Sequence, residues 1–93
     1  MKTLPTDVVA YRRTPEFTEA STPRGLRSSH RTKPGTWGEI VVLEGTLLYR
    51  VLEPDVQEIR LGPGNPGIVE PTVRHEIEPS ADARFYVQFY RRP

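Results

Sequence analysis

Glu39-Ile40-Val41-Val42-Leu43-Glu44-Gly45-Thr46-Leu47-Leu48-Tyr49-Arg50-Val51-Leu52 carries the clearest structural signal of the chain. Two runs rich in Val, Leu, Ile and Tyr flank Glu44-Gly45-Thr46. Branched and aromatic side chains suit a pleated, half-buried backbone, and a short polar break containing glycine between two such runs predicts a β-hairpin. Residues 40–43 are apolar at consecutive positions. That predicts a strand covered on both faces, at the centre of a sandwich or barrel.

Downstream, Glu53-Pro54-Asp55 reads as a turn, and residues 56–61 offer a short strand with apolar Val56, Ile59 and Leu61. Gly62-Pro63-Gly64-Asn65-Pro66-Gly67 is a rigid connector. Further short strands are expected at 68–70 and 74–78, with Pro71 confined to their junction because it lacks an amide donor. In Arg84–Arg91, Phe85, Val87 and Phe89 alternate with Tyr86, Gln88 and Tyr90, the period of a strand with two unlike faces. Upstream, residues 8–13 read as an edge strand or arm, and 18–23 as a polar loop. Residues 25–30 are expected to form a short strand that delivers His30 to its end, before a turn at Lys33-Pro34-Gly35. About eight short strands at this spacing predict an all-β sandwich or small barrel.

Composition agrees. Ten prolines and seven glycines in 93 residues favour tight turns over long helices. A chain of this length forms one small domain, residues 1–93, which buries only about 60–65% of its unfolded surface and stands to gain from pairing as a homodimer. The absence of cysteine excludes disulfides, thiolate metal sites and a cysteine nucleophile. A net charge of +1, with no recognition helix or stacking motif in view, argues against nucleic-acid binding. Residues 1–7 lack the apolar core of a signal peptide, and no apolar run approaches the roughly 18 residues needed to span a bilayer. A soluble, cytoplasmic protein away from membranes is therefore expected.

Chemistry points to the two histidines, His30 and His75. Imidazole is a common metal ligand and titrates near neutral pH, so two of them on distant strands define a candidate metal or acid/base site. Gln88 is the first candidate for a third ligand, with Glu78, Glu70 and Glu39 behind it. The ion would be divalent: zinc, iron, manganese or nickel. Glu76 and Glu78 flank Ile77 and are expected to face solvent or form ion pairs. Tyr49, Tyr86 and Tyr90 are candidates to line a cavity or to pack in the core, and Trp37 to cap the mouth beside His30. Arg24, Arg27, Arg31 and Lys33 surround His30 in sequence, which suits an anionic ligand or oxyanion.

Gly45, Gly67, Pro71 and His75 match parts of the two motifs of the cupin superfamily, and the chain resembles it. A closer resemblance runs through Met1-Lys2-Thr3-Leu4-Pro5, Tyr11-Arg12-Arg13-Thr14-Pro15, Gly35-Thr36-Trp37-Gly38, Val41-Val42-Leu43-Glu44-Gly45, Tyr49-Arg50-Val51 and His75-Glu76-Ile77-Glu78-Pro79. These segments look like the small domain found at the N-terminus of tellurite-resistance proteins of the TehB type and as free-standing proteins. The resemblance implies a cupin-like double-stranded β-helix or jelly-roll barrel, with His30 and His75 at its mouth and a link to oxyanion stress. In that family methyl transfer belongs to a separate C-terminal domain. This sequence has no glycine-rich strand-to-helix loop for a nucleotide cofactor. It also departs from cupins. Where the first motif has Glu, seven residues before Gly45, stands Gly38; Glu39, one step on, would face the other side of the strand. The expected function is binding of a divalent metal or small ligand at a two-histidine mouth. The alternatives are a metal-dependent oxygenase or isomerase, and a non-catalytic module for dimerisation or partner docking.

Overall fold

The alternation in the last strand organises the larger of two sheets in the computed structural model, which describes residues 3–93; Met1 and Lys2, part of the first matched segment, lie outside the described residues. The elements are β1 (Val9–Arg13), β2 (Phe17–Thr18), α1 (Arg24–Arg27), β3 (Trp37–Glu44), β4 (Leu47–Val51), β5 (Gln57–Leu61), β6 (Gly67–Val69), β7 (His75–Pro79) and β8 (Arg84–Arg91). A five-stranded sheet runs β1-β8-β3-β6, with β2 also on β8, and a three-stranded sheet runs β5-β4-β7. The all-β, jelly-roll type of architecture is thus as expected.

The core lies between the sheets. Ile40 and Val42 of β3 and Phe85 and Val87 of β8 meet Leu47 and Tyr49 of β4, Leu61 of β5 and Ile77 of β7. Phe85, Leu47 and Leu61 are essentially inaccessible, and burying each such side chain contributes about 1.5–3 kcal/mol. Val41 and Leu43 are only half-buried on the outer face. Residues 40–43 are therefore not covered on both faces as expected; their partners on the outside are side chains such as Tyr86, opposite Val41.

The hairpin expected at Glu44-Gly45-Thr46 does not form. β3 pairs with β6 and β8, whereas β4 pairs with β5 and β7. The two apolar runs face each other across the core instead of side by side, because each must bury one face and the partners along their edges come from elsewhere. Gly45 makes the crossing, with φ +69°, and a Cβ there would lie 2.8 Å from backbone atoms of Ala83. The hairpin in this region is β4–β5, in register from Leu47↔Leu61 to Val51↔Gln57.

The strand expected at 25–30 is also replaced. Leu26 N–H donates to Pro23 O at 3.1 Å, giving the single helical turn α1. This segment has no alternating apolar pattern to hold a strand against a sheet, and Leu26 alone is tucked in.

Candidate functional site

His75 opens β7, and His30 lies directly opposite it in an isolated antiparallel bridge. His30 N–H donates to His75 O at 2.7 Å and His75 N–H to His30 O at 2.8 Å. Residues so paired project their side chains from the same face. The approach to His30 runs through Ser29, held at φ +42°, whose Oγ accepts a hydrogen bond from Arg74 Nε at 3.0 Å. On the other side Thr72, at φ +64°, donates its N–H to Thr32 O at 3.2 Å. Left-handed backbone at a non-glycine residue costs about 1 kcal/mol or more, so strained residues on both segments bring the imidazoles together.

The rings meet edge to face, with centroids 5.1 Å apart and planes at 83°. His75 Nδ1 lies 3.1 Å from Val73 O, an acceptor only, so Nδ1 carries the proton. His75 Nε2 is then the acceptor for His30 Nδ1–H, 3.4 Å away. With both rings neutral, the form that burial favours, this pattern sets their tautomers. Burial lowers the pKa of both; for His75 the hydrogen bond to Val73 opposes this, while the proximity of His30 adds to it. His30 Nε2 has no hydrogen bond and is not buried, so it meets solvent. Behind the pair, the Tyr49 ring stands edge-on to His75 at 5.8 Å, and its hydroxyl donates to Ile68 O at 3.1 Å. Burial, aided by the charge of Glu70, pushes the Tyr49 phenol up to about 12.

His30 stands where three voids meet. Inward is a cavity of about 20 Å³ between the pair and Ile40, Val69, Ile77 and Val87, roughly the space of one water. Outward is an open cleft of about 220 Å³ walled by Tyr11, Arg12, Arg31, Lys33 and Thr36, with Thr32 and Phe89. Alongside runs an apolar groove of about 270 Å³ formed by Thr14, Phe17, Pro23, Gly25, Leu26, Val87 and Phe89. Arg31 is loosely paired with Glu53 at 3.7 Å. Among the described residues, the Arg12 guanidinium and Lys33 ammonium have no ion pair. A separate pocket of about 150 Å³ lies on the other side of Tyr49, between β5 and β6, with Glu53 and Glu70 in its wall.

The other candidates lie elsewhere. Gln88 faces outward opposite Glu39 and donates to Arg12 O at 2.6 Å. Glu39 accepts from Tyr90 at 2.9 Å, on the face its one-residue offset predicts. Tyr86 lies beneath Arg13, and Trp37 beneath Arg92 instead of beside His30. Glu78, with Glu76 and Glu58, is paired to Arg50. Arg27 hydrogen-bonds Glu19 O; Arg24 is exposed at the start of α1 and does not line the cleft. Among the described residues no group of three or more His, Cys, Asp or Glu is placed to hold a metal ion. Catalytic metal centres use about three protein ligands and structural ones about four. Two imidazoles already bonded to each other do not fit that requirement.

Tyr11, Arg12, Thr36 and Phe89 belong to the site without having been singled out for it. The inward face of Phe89 was readable from the alternation in β8. Arg12 enters the cleft through a register shift between Ala10 and Arg12, and the sequence carries no mark of that bulge.

Comparison with known proteins gives the family. The chain is 29% identical over 80 residues to a protein of Haemophilus influenzae (strain Rd) called a probable S-adenosyl-L-methionine-dependent methyltransferase TehB, covering 82% of this chain and 28% of that one. The protein of the same name from strain 10810 is 28% identical over the same length. The chain thus spans under a third of these curated relatives. The crystal structure of TehB from H. influenzae superposes with a TM-score of 0.86 at 32% identity, over 94% of this chain and 32% of that one. A crystal structure of an E. coli (strain K12) protein gives 0.91 at 24% identity, covering 100% and 99% of the two chains, a likeness of fold. The TehB-like domain model matches residues 12–87, from the cleft's Arg12 to the core's Val87, and the chain belongs to that family, which is associated with tellurite resistance.

Proposed function

We propose that this chain is a small-ligand-binding module that captures an oxyanion in the cleft above the His30–His75 pair. The observation that carries the reading is the cleft itself: Arg12, Arg31 and Lys33 line it together with a ring whose outer nitrogen meets solvent. A cation 4 Å from an anion is worth about 1 kcal/mol in water and more where the walls exclude it. A divalent cation would meet the same charges as repulsion. His30 Nε2 accepts a hydrogen bond while the ring is neutral and donates once it is protonated. A bound anion favours the protonated form and so offsets the effect of burial. The role fits a family tied to oxyanion stress. Methyl transfer, the activity in the names of the H. influenzae relatives, is left aside, since the chain covers 28% of their length and its described residues form no α/β nucleotide-binding unit.

The test is titration of the protein with tellurite, phosphate and acetate, followed by amide and imidazole NMR. The expected result is saturable shifts at His30, Lys33 and Phe89 that weaken in Arg12→Ala and Lys33→Ala and fade with added salt. If none of these anions moves those signals at millimolar concentration, the reading fails. Elemental analysis runs beside it. Near-stoichiometric zinc, iron, manganese or nickel, lost in His75→Ala, would replace the anion with a metal ion as the ligand.

A further inference from the structure

The cationic cleft and the apolar groove share His30 and Phe89, so the two voids adjoin along these side chains. Their chemistry is opposite. Phe17, Pro23, Leu26, Val87 and Phe89 supply aliphatic and aromatic carbon to the groove, and the polar side chains in its wall are Thr14 and the edge of His30. Its one hydroxyl is committed: Thr14 Oγ donates to Pro15 O at 2.8 Å and accepts from Val87 N–H at 3.0 Å. Apart from the edge of His30, no side chain in the groove is left to hold a polar group. An inorganic oxyanion would occupy the cleft and leave this surface against water.

We infer that the ligand is an amphipathic organic anion, a carboxylate whose head sits among Arg12, Arg31 and Lys33 while a short apolar body lies along Phe17, Leu26 and Phe89. The inference rests on the anion-binding reading and narrows it. Size agrees: the groove, at about 270 Å³, exceeds the roughly 150 Å³ cavity that accepts benzene in an engineered protein. A body of about six carbons therefore fits.

The experiment is a calorimetric or NMR titration of the wild-type protein with acetate, butyrate, hexanoate, hexanol and tellurite. Each methylene moved from water into the groove tightens binding about twofold to fourfold, depending on how fully it is covered. Hexanoate is therefore expected to bind at least about tenfold more tightly than acetate. Hexanol, lacking the charge, is expected to bind far more weakly than hexanoate. Lys33→Ala lowers the affinity for every carboxylate. Leu26→Ser brings the hexanoate-to-acetate ratio towards one. If hexanoate binds no better than acetate while tellurite and acetate still bind, the inference is overturned and the anion reading stands. If hexanol matches hexanoate, the carboxylate head plays no part and the inference is overturned; if no anion binds, both fall.

Discussion

Acidification tests the hydrogen-bonded histidine pair directly. Both imidazoles have pKa values lowered from 6.5 by burial. The unfolded chain therefore takes up protons first as the pH falls through 6.5. Stability from this source is complete above that pH and declines below it, until the folded pair is protonated in turn. One proton of difference gives a slope of about 1.4 kcal/mol per pH unit, and two would give about 2.7. The geometry favours one. A first proton adds at His30 Nε2, which meets solvent. A second would have to take His75 Nε2, breaking the hydrogen bond from His30 and setting two positive charges 3.4 Å apart. Urea unfolding between about pH 5.5 and 7.5, above the carboxylate range, isolates the effect. The reference is a double variant, His30→Asn with His75→Asn, in which the Asn at 75 can still donate to Val73 O. Wild type is expected to lose stability below pH 6.5 with the one-proton slope, while the double variant stays nearly flat. Parallel curves for the two proteins would refute the neutral, hydrogen-bonded pair.

Gly45→Ala is expected to lose about 2–4 kcal/mol in chemical denaturation, from left-handed backbone and a Cβ pressed on the Ala83 main chain, where little can yield; a loss near zero would mean that the crossing between the sheets is wrongly placed. Tyr49→Phe leaves Ile68 O without its donor and is expected to cost about 1–2 kcal/mol, read from the same unfolding midpoints, with a change in the His75 ring resonances that a remote substitution would not produce.

Much of the strand pattern was legible because it follows from local rules. The period of two in Arg84–Arg91 fixed which residues of β8 face inward, and the Gly-Pro segment at 62–67 could only be a connector. The one-residue offset of Glu39 correctly turned it outward. Strand pairing was less legible. Val, Leu and Ile on either side of Glu44-Gly45-Thr46 are equally suited to a hairpin or to a crossing between sheets, and the choice depends on β6 and β8, which lie far along the chain. The histidine pair was visible as chemistry but not as contact, since the bridge that joins His30 to His75 relies on left-handed Ser29 and Thr72, residues with no intrinsic preference for that conformation. Arg12 and Tyr11 depended on a bulge, and Leu26 on a helical turn that one apolar residue cannot announce.

The place of β8 bears on how the molecule is made. It is the strand against which β1, β2 and β3 all pair, so during synthesis β1 and β2 emerge with no edge to join. Until residues 84–91 have been made, only the β5-β4-β7 sheet can assemble in full. β3 can meanwhile pair with β6, but its apolar face lacks Phe85 and Val87 of the core, and the cleft, whose Arg12 reaches it from β1, takes shape only when β8 docks.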